Sequence, residues 1–227
     1  MCHLAAPAST GANLTVDLVV LHEDETLLVL DKPSGLLSVP GRGEDKQDCL
    51  SARAQAQFPD ALIVHRLDMA TSGLMILARG LEMQRTINHA FSNRLVNKTY
   101  TAVVDGLLAP SSEEWQLIDL PIIVDWTNRP RRIIDHDLGK PSQTRWRAVS
   151  QDHAAKTTRL ELEPITGRSH QLRVHLMAIG HPILGDALYA SPPVQAKAHR
   201  LQLHACALEL MHPLSGESLR FFSKPPF

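Results

Sequence analysis

The pattern of apolar and polar positions along the chain is mostly that of β-strands. Two apolar runs surround an acidic turn at residues 22–25 in LTVDLVVLHEDETLLVLDKPSG, which predicts a pair of strands ended by Pro33 and Gly35. Residues 61–64 and 74–78 are short, continuous apolar runs, as expected of buried strands. Further strands are predicted in KTYTAVVDG, EEWQLIDLPI, QTRWRAVS, TTRLELEPI, RLQLHACALEL and SLRFF.

Three segments have a helical pattern instead. Residues 48–58 form a polar segment that Pro59 stops, and residues 81–94 are amphipathic, with Met83, Ile87 and Phe91 on one side. The stretch SHQLRVHLMAIGHP predicts a helix of two to three turns that Gly180 closes. Strands outnumber helices and the turns are short. We therefore expect an α+β fold with a mixed, mainly antiparallel sheet and flanking helices.

Composition narrows the class of protein without naming a function. The 227 residues are 44% hydrophobic and 21% charged, as in ordinary globular proteins. No apolar run approaches the roughly 20 residues of a membrane helix, and no signal peptide is evident. The three cysteines are an odd number and lie far apart in sequence, which argues against a disulfide framework and favours a reducing cytoplasm. We interpret residues 1–16 as a flexible tail and residues 17–227 as a single domain.

Charge is unevenly distributed along the chain. The formal net charge is −1, which does not indicate a nucleic-acid-binding protein. Residues 1–64, however, hold four basic and nine acidic side chains, whereas residues 126–175 hold ten basic and five acidic ones. The second region could bind a polyanion locally, or its charges could be an ordinary solvated surface.

An unusual polar interruption divides the strands at residues 61–64 and 74–78. In VHRLDMATSGLMILAR a histidine, an arginine and Asp68 stand between two apolar runs, beside a turn that contains Gly73. Charged residues at the end of a strand either belong to a solvated loop or form a site that rigid elements hold. A carboxylate beside a guanidinium stays ionised and can act as a nucleophile or a base.

Several other chemistries do not fit the chain. HRLD has its aspartate one residue later than the kinase H-R-D loop, and no D-F-G follows. LGKPS resembles the end of a phosphate-binding loop, but Ile134 stands where a glycine is required and Pro141 separates the lysine from the serine. His170 and His175 are five residues apart, so on a helix they diverge, and we expect no metal site. The residues alone indicate a site centred on Asp68, with its reaction open.

The motifs together resemble one enzyme family. HRLDMATSGL, DKPSGLLSVPG before it, and GRSHQLRVHL followed by GHPILGD resemble the RluA-type pseudouridine synthases in content, order and spacing. The resemblance covers residues 18–221, and DLPIIVDWTNRPR with GKPSQT resembles most closely the short RluA branch, which modifies both large-subunit rRNA and tRNA. It implies the pseudouridine synthase catalytic fold and an isomerase without a cofactor or metal.

The resemblance also implies a reaction. Pseudouridine synthases break the N1–C1′ bond of a uridine in RNA, turn the uracil, and rejoin it through C5. The family's catalytic aspartate corresponds to Asp68, which either attacks C1′ or removes a sugar proton. The active-site tyrosine corresponds to Tyr100, which packs against uracil and is a candidate for deprotonating C5.

Other positions match the family's supporting residues. Arg168 matches the basic residue that pairs with the aspartate, as the third predicted catalytic residue. Arg66 matches an arginine linked to displacement of the target base. We assign the uracil pocket to Leu172 and His65.

The expected partner is RNA in the form of 23S rRNA and tRNA stem-loops such as the anticodon arm. We expect no separate N-terminal RNA-binding module, no DNA or membrane partner, and a monomer. The catalytic domain should therefore grip RNA through its own basic residues, namely Arg129, Arg131, Arg132 and Arg173. Two alternatives stay open: a non-catalytic RNA-binding module on the same scaffold, and a hydrolase of glycosidic bonds, which commonly needs two carboxylates.

Overall fold

The computed structural model describes residues 18–109 and 114–227, so the predicted tail at residues 1–16 lies outside the described residues. Each predicted helix is confirmed, with bounds shifted by a few residues. The described helices are α1 (Leu50–Gln57), α2 (Gly80–Ser92), α3 (Gln171–Ala178) and the short α4 (Pro192–Gln195), with one 3₁₀ turn at Glu44–Lys46.

The predicted strands are also confirmed. In chain order, the strands of the described residues are β1 (Val20–Glu23), β2 (Leu27–Lys32), β3 (Ala61–Ile63), β4 (Ser72–Arg79), β5 (Asn97–Asp105), β6 (Gln116–Asp119), β7 (Ile122–Val124), β8 (Arg132–Ile134), β9 (Gln143–Asp152), β10 (Thr157–Pro164), β11 (Leu203–Met211) and β12 (Ser218–Phe222). The two strands of the β7–β8 hairpin and helix α4 were not predicted. Each is only three or four residues long, too short to show a period.

Ten of the described strands form one large sheet. Its order is β1-β2-β4-β11-β5-β10-β9-β6, with β3 paired to β4 and β12 paired to β11, while β7 and β8 form a separate hairpin. Neighbours pair antiparallel except β4 and β11, which are parallel where Ser72 faces His204. The expectation of an α+β fold with a mixed, mainly antiparallel sheet is confirmed.

The middle of the sheet is buried on both faces, which explains the continuous apolar runs in β2 and β4. Leu27 and Ile76 pack in a cluster with Ile87 of α2. Their neighbours Leu28 and Leu77 point to the opposite face and pack with residues of α1. Successive side chains of a strand alternate between faces, so each face of these strands acquires its own core.

Gly73 permits the parallel pairing of β4 with β11. Its φ is +111°, and a Cβ atom at this position would lie 2.3 Å from the carbonyl oxygen of Ala205. Only glycine fits such a close backbone approach. The turn that carries Asp68 therefore enters the sheet beside a strand from the far end of the chain.

Helix α3 ends as the sequence predicts. Gly180 has a φ of +87°, and the N–H groups of Gly180 and His181 donate to the carbonyls of Met177 and Leu176. This arrangement satisfies carbonyl groups that the end of a helix leaves without partners. Leu172 and Leu176 of α3 pack on the half of the sheet that contains β5, β9 and β10.

Candidate active site

Seven of the predicted site residues line one cleft of about 550 Å³. The cleft opens where the turn after β3 meets β5 and the start of α3. The predicted residues among its lining are His65, Arg66, Asp68, Tyr100, Arg168, Leu172 and Arg173. Residues that lie up to 108 positions apart in sequence thus meet in one place, while the three arginines of residues 129–132 lie outside the cleft lining.

The turn that carries Asp68 is held by the segment after β2. Ser38 Oγ donates to the carbonyl oxygen of Leu67 at 2.7 Å and accepts the Leu67 N–H at 3.1 Å. The carbonyl groups of residues 69 and 70 accept hydrogen bonds from the Lys32 ammonium, the Gly35 N–H and the Ser34 hydroxyl. The DKPSGLLS stretch therefore serves as a backbone clamp that fixes the position of Asp68.

Asp68 belongs to a cluster of two carboxylates and one guanidinium, in which Arg173 and Asp186 are buried and Asp68 is half-buried. Arg173 Nη1 donates to Asp68 Oδ2 at 3.2 Å, and Arg173 Nε and Nη2 donate to the two carboxylate oxygens of Asp186 at 2.8 and 2.7 Å. Arg173 is only 4% exposed. Burial by itself would lower the pKa of Arg173, but bonds to Asp186 and the charges of Asp186 and Asp68 raise it. Arg173 therefore remains charged, and the fork to Asp186 orients its remaining nitrogen toward Asp68.

Tyr100 lies on β5, where its ring packs between two core clusters and also faces the cleft. Burial raises the pKa of Tyr100, and the nearby charges of Asp68 and Cys206 raise it further. The side chain is thus a neutral phenol in the free protein. It offers an apolar face to a base, whereas the phenolate form is disfavoured.

His65 and Arg66 are adjacent in sequence but differ in exposure and in hydrogen bonding. His65 stacks on Phe91 of α2 with ring centroids 4.6 Å apart, and its Nε2 accepts the N–H of Ile76 at 2.8 Å. Burial, with a smaller contribution from the Lys98 charge, lowers the pKa of His65 to about 3. Arg66 is exposed and makes no hydrogen bond or ion pair with other residues in the described part of the chain.

A histidine and a second tyrosine extend the site beyond the predicted residues. His170 precedes α3 in a left-handed conformation, with φ of 58°, and its Nε2 lies 3.9 Å from Asp68 Oδ1. Its Nδ1 lies 2.7 Å from the hydroxyl oxygen of Tyr189. That hydroxyl also accepts the backbone N–H of Arg132 at 2.8 Å. Tyr189 thus connects the cleft with the β7–β8 hairpin.

The loop of this hairpin carries an exposed aromatic and basic surface, which we call the basic hairpin (residues 122–134). The Arg129 guanidinium stacks 3.6 Å from the ring centroid of Trp126, and Trp126 is 69% exposed. Arg131 is also exposed, and its guanidinium lies 5.6 Å from the Tyr189 ring. Arg132 is half-buried and donates to the carbonyls of residues 130 and 131.

Comparison with known proteins assigns the family. The sequence profile of the family described as RNA pseudouridylate synthase matches residues 26–178. The chain is 48% identical over 210 residues to the dual-specificity RNA pseudouridine synthase RluA of Yersinia pestis, across 92% of this chain and 100% of that one. It is 48% identical over 211 residues to the RluA enzyme of Escherichia coli K12, across 92% of this chain and 94% of that one. The chain belongs to the RluA-type RNA pseudouridine synthases.

Solved structures agree with this assignment. The human protein RNA Pseudouridylate Synthase Domain Containing 1 is 27% identical and superposes with a TM-score of 0.76, over 93% of this chain and 84% of that one. Human RNA Pseudouridylate Synthase Domain Containing 4 is 28% identical with a TM-score of 0.70, over 92% and 88% of the two chains. The RluA-type catalytic fold and the isomerase class expected from the motifs are confirmed.

The structure of this RluA-type synthase corrects two residue assignments. Arg168 was expected to pair with Asp68, but Arg168 is exposed and its Nε donates to the carbonyl of Pro141 at 3.4 Å. Arg173 was assigned to RNA binding, but it is buried and pairs with Asp68. Arg168 lies in the turn before α3, whereas Arg173 lies in the first turn of the helix, on a face that packs into the protein. The partner of Asp68 is therefore Arg173.

Sequence reasoning missed His170, Asp186 and Tyr189. The first two lie within the family motifs. Asp186 could have been identified from the motifs, because a motif arginine that is buried needs an acidic partner. Among the described residues, no group of three His, Cys, Asp or Glu side chains could hold a metal ion. No helix in the described ranges is long and apolar enough to cross a membrane.

Proposed function

We propose that this enzyme converts specific uridines to pseudouridine in 23S rRNA, in tRNA, or in both. Support comes from the name of the RluA relatives, which are dual-specificity RNA pseudouridine synthases and align with nearly the whole chain. The observation that carries the chemistry is the ion cluster in which Arg173 holds Asp68 at the cleft. A binding module would not need a carboxylate in this position.

Asp68 assists the cleavage of the N1–C1′ bond. Cleavage develops positive character on the sugar, which an ionised carboxylate stabilises. The carboxylate either attacks C1′ or removes a sugar proton, and Arg173 orients it for either route. When the C5–C1′ bond then forms, the bond between Asp68 and C1′ breaks in the first route, or Asp68 returns the proton to the sugar in the second. The proton on C5 is lost, and N1 gains a proton. Atoms balance without an external oxidant or reductant.

The walls of the cleft retain uracil between cleavage of the N1–C1′ bond and formation of the C5–C1′ bond. Tyr100 supplies a neutral aromatic face, and Leu172, which is 7% exposed, supplies an aliphatic one. Both exclude water, which would otherwise divert the reaction toward hydrolysis. His65 contributes the edge of the same cleft as a neutral ring.

The target uridine reaches the cleft by leaving its stack. Arg66 is exposed at the cleft and carries a charge without a fixed partner in the described chain, which suits a residue that replaces the displaced base. The basic hairpin grips the neighbouring RNA through Arg129, Arg131 and Arg132. Trp126 offers an exposed ring on which an unpaired base can stack. A short stem-loop suffices as substrate.

We further propose that residues 17–227 act as a single domain and that the enzyme works as a monomer in the cytoplasm. The described strands from β1 to β12 share one sheet apart from the β7–β8 hairpin. The described cysteines, Cys49 and Cys206, are free thiols, as a reducing compartment favours.

The test is to map pseudouridine in 23S rRNA and tRNA from cells with and without the gene for this protein. Purified enzyme is then incubated with a stem-loop that contains each affected uridine, and both pseudouridine and free uracil are measured. Pseudouridine at a defined position without free uracil supports the proposal. Free uracil as the main product would identify a hydrolase, and RNA binding without either product would identify a binding module.

A further inference from the structure

The Tyr189 hydroxyl lies at a junction between the basic hairpin and the cleft. It accepts the backbone N–H of Arg132 at 2.8 Å, and it lies 2.7 Å from His170 Nδ1. The ring of Tyr189 is 6% exposed and packs with Ile122 of β7 and Val174 of α3. Its position is therefore fixed by packing on both elements, independently of the hydroxyl.

The hydrogen bond from Arg132 favours one placement of the hydroxyl proton of Tyr189. A phenol has one hydrogen and can also accept. Since Arg132 donates to the oxygen, the hydroxyl hydrogen is available for His170 Nδ1. A neutral imidazole that accepts at Nδ1 carries its proton at Nε2. Nε2 is the nitrogen that lies 3.9 Å from Asp68 Oδ1.

The surroundings of His170 keep its ring neutral. Burial lowers the pKa of His170, and the positive charges of Arg173 and Arg132 oppose protonation, while Asp68 and Asp186 favour it less strongly in sum. A neutral ring has a single N–H, so the tautomer decides whether a donor or an acceptor faces Asp68. The left-handed backbone of His170 is an uncommon conformation for a residue other than glycine, and it lies directly beside the catalytic aspartate.

We propose that Tyr189 is a positioning residue that connects the basic hairpin to His170 and holds the Nε2–H tautomer toward Asp68. The connection runs from the Arg132 N–H through the Tyr189 hydroxyl to His170 Nδ1. Movement of the hairpin when RNA docks is thereby transmitted to the donor beside the catalytic carboxylate. The link to RNA docking rests on the function proposed above, whereas the tautomer is a property of the free protein.

The tautomer is tested by NMR of protein labelled with ¹⁵N in its histidines, at a pH where His170 is neutral. The signals of His170 are assigned by their absence in His170→Gln. We expect a protonated Nε2 and an unprotonated Nδ1 in the wild type, and a mixture of tautomers in Tyr189→Phe, which keeps the ring and its packing. Arg132→Ala is the matched control, because it keeps the backbone N–H and should leave the tautomer unchanged. A protonated Nδ1 in the wild type, or an unaltered His170 in Tyr189→Phe, would overturn the proposal.

The coupling is tested with a stem-loop RNA. Binding should shift the His170 signals in the wild type and leave them nearly unchanged in Tyr189→Phe. We expect the single-turnover rate of Tyr189→Phe to fall several-fold, up to about tenfold, as is typical for the loss of one neutral hydrogen bond, with the Kd for RNA unchanged. A purely structural role would change Kd and rate together, and that result would contradict coupling. If the RNA binds but neither the wild type nor Tyr189→Phe makes pseudouridine, the proposed function fails while the tautomer result stands.

Discussion

Two regions of this molecule carry arginines, and they hold them in opposite ways. In the ion cluster, Arg173 is 4% exposed and is fixed by three hydrogen bonds to two carboxylates. In the basic hairpin, Arg129 and Arg131 are exposed, and their guanidinium groups lie over aromatic rings. A buried and paired charge is oriented before substrate arrives, whereas an exposed one is free to follow the RNA backbone and is screened by salt. The difference separates residues that should control the rate from residues that should control binding.

The largest expected effect on the rate comes from replacing Asp68 in the ion cluster. Asp68→Asn keeps the shape of the side chain but removes its charge, so we expect the rate of isomerisation to fall by about a thousandfold or more, with RNA binding nearly unchanged. The measurement is the single-turnover rate on a stem-loop together with Kd. Asp48→Asn, which breaks an exposed ion pair with Arg53, is the matched control and should behave as the wild type. Activity of Asp68→Asn within about tenfold of the wild type would exclude a catalytic role.

The next largest effect concerns Arg168 and Arg173, the two arginines of the motif GRSHQLRVHL. Arg173→Lys keeps the charge, but a lysine cannot bind both carboxylate oxygens of Asp186 and also contact Asp68. Asp68 would then be less well positioned, and misplacing a catalytic group by about 1 Å costs about 100-fold in rate. Arg168→Lys should change the rate only slightly, because Arg168 does not contact Asp68 in the structure. Rates of both variants are compared with thermal unfolding, which shows whether either is destabilised. A larger loss of rate in Arg168→Lys than in Arg173→Lys would support pairing of Arg168 with Asp68, as the motif suggested.

Replacing the arginines of the basic hairpin should cause smaller changes, mainly in RNA binding. Replacing Arg131 and Arg132 by alanine should raise KM and flatten the salt dependence of RNA affinity, by about 0.7–0.9 log units per log unit of salt for each phosphate that is no longer neutralised. The value of kcat should change little. Arg66→Ala should do the reverse and lower kcat with a modest change in binding, since its proposed role begins after docking. An unaltered salt slope in the double variant would place the RNA-binding surface elsewhere.

The smallest effect is on stability and arises from His65. The pKa of His65 is about 3 in the folded protein against 6.5 for the free side chain, so the unfolded chain binds a proton that the folded one does not. Stability from this group is complete above pH 6.5 and is lost as the pH falls toward 3, by up to about 2 kcal/mol between pH 6.5 and 5. His65→Gln should reduce the slope of the unfolding free energy against pH by up to one proton in this window. Denaturant unfolding at several pH values measures the slope, and an unchanged slope would contradict a neutral His65 ring in the folded protein.

Sequence patterns predicted most of the sheet because the signal for each strand is local. The continuous apolar runs in β2 and β4 exist because both faces are buried, and the amphipathic side of α2 packs as its spacing requires. The position of Asp68 was predictable because its polar motif interrupts two such runs. The choice between Arg168 and Arg173 was not, because it depends on the buried Asp186, 13 positions after Arg173. His170 and Tyr189 likewise acquire their roles only through contacts across the fold.

The parallel pairing of β4 with β11 has a consequence for synthesis of the chain. Ser72 and Gly73, which follow the Asp68 turn, pair with His204 and Ala205 more than 130 positions later, and β11 also fills the edge between β4 and β5. A ribosome-bound chain that has not yet exposed residues 203–211 leaves both of these strand edges open. Pairings between such distant segments form slowly, because the long loop between them must close first. Isomerisation should therefore begin only after residues 203–211 have left the ribosome, and a nascent chain halted before β11 should be inactive.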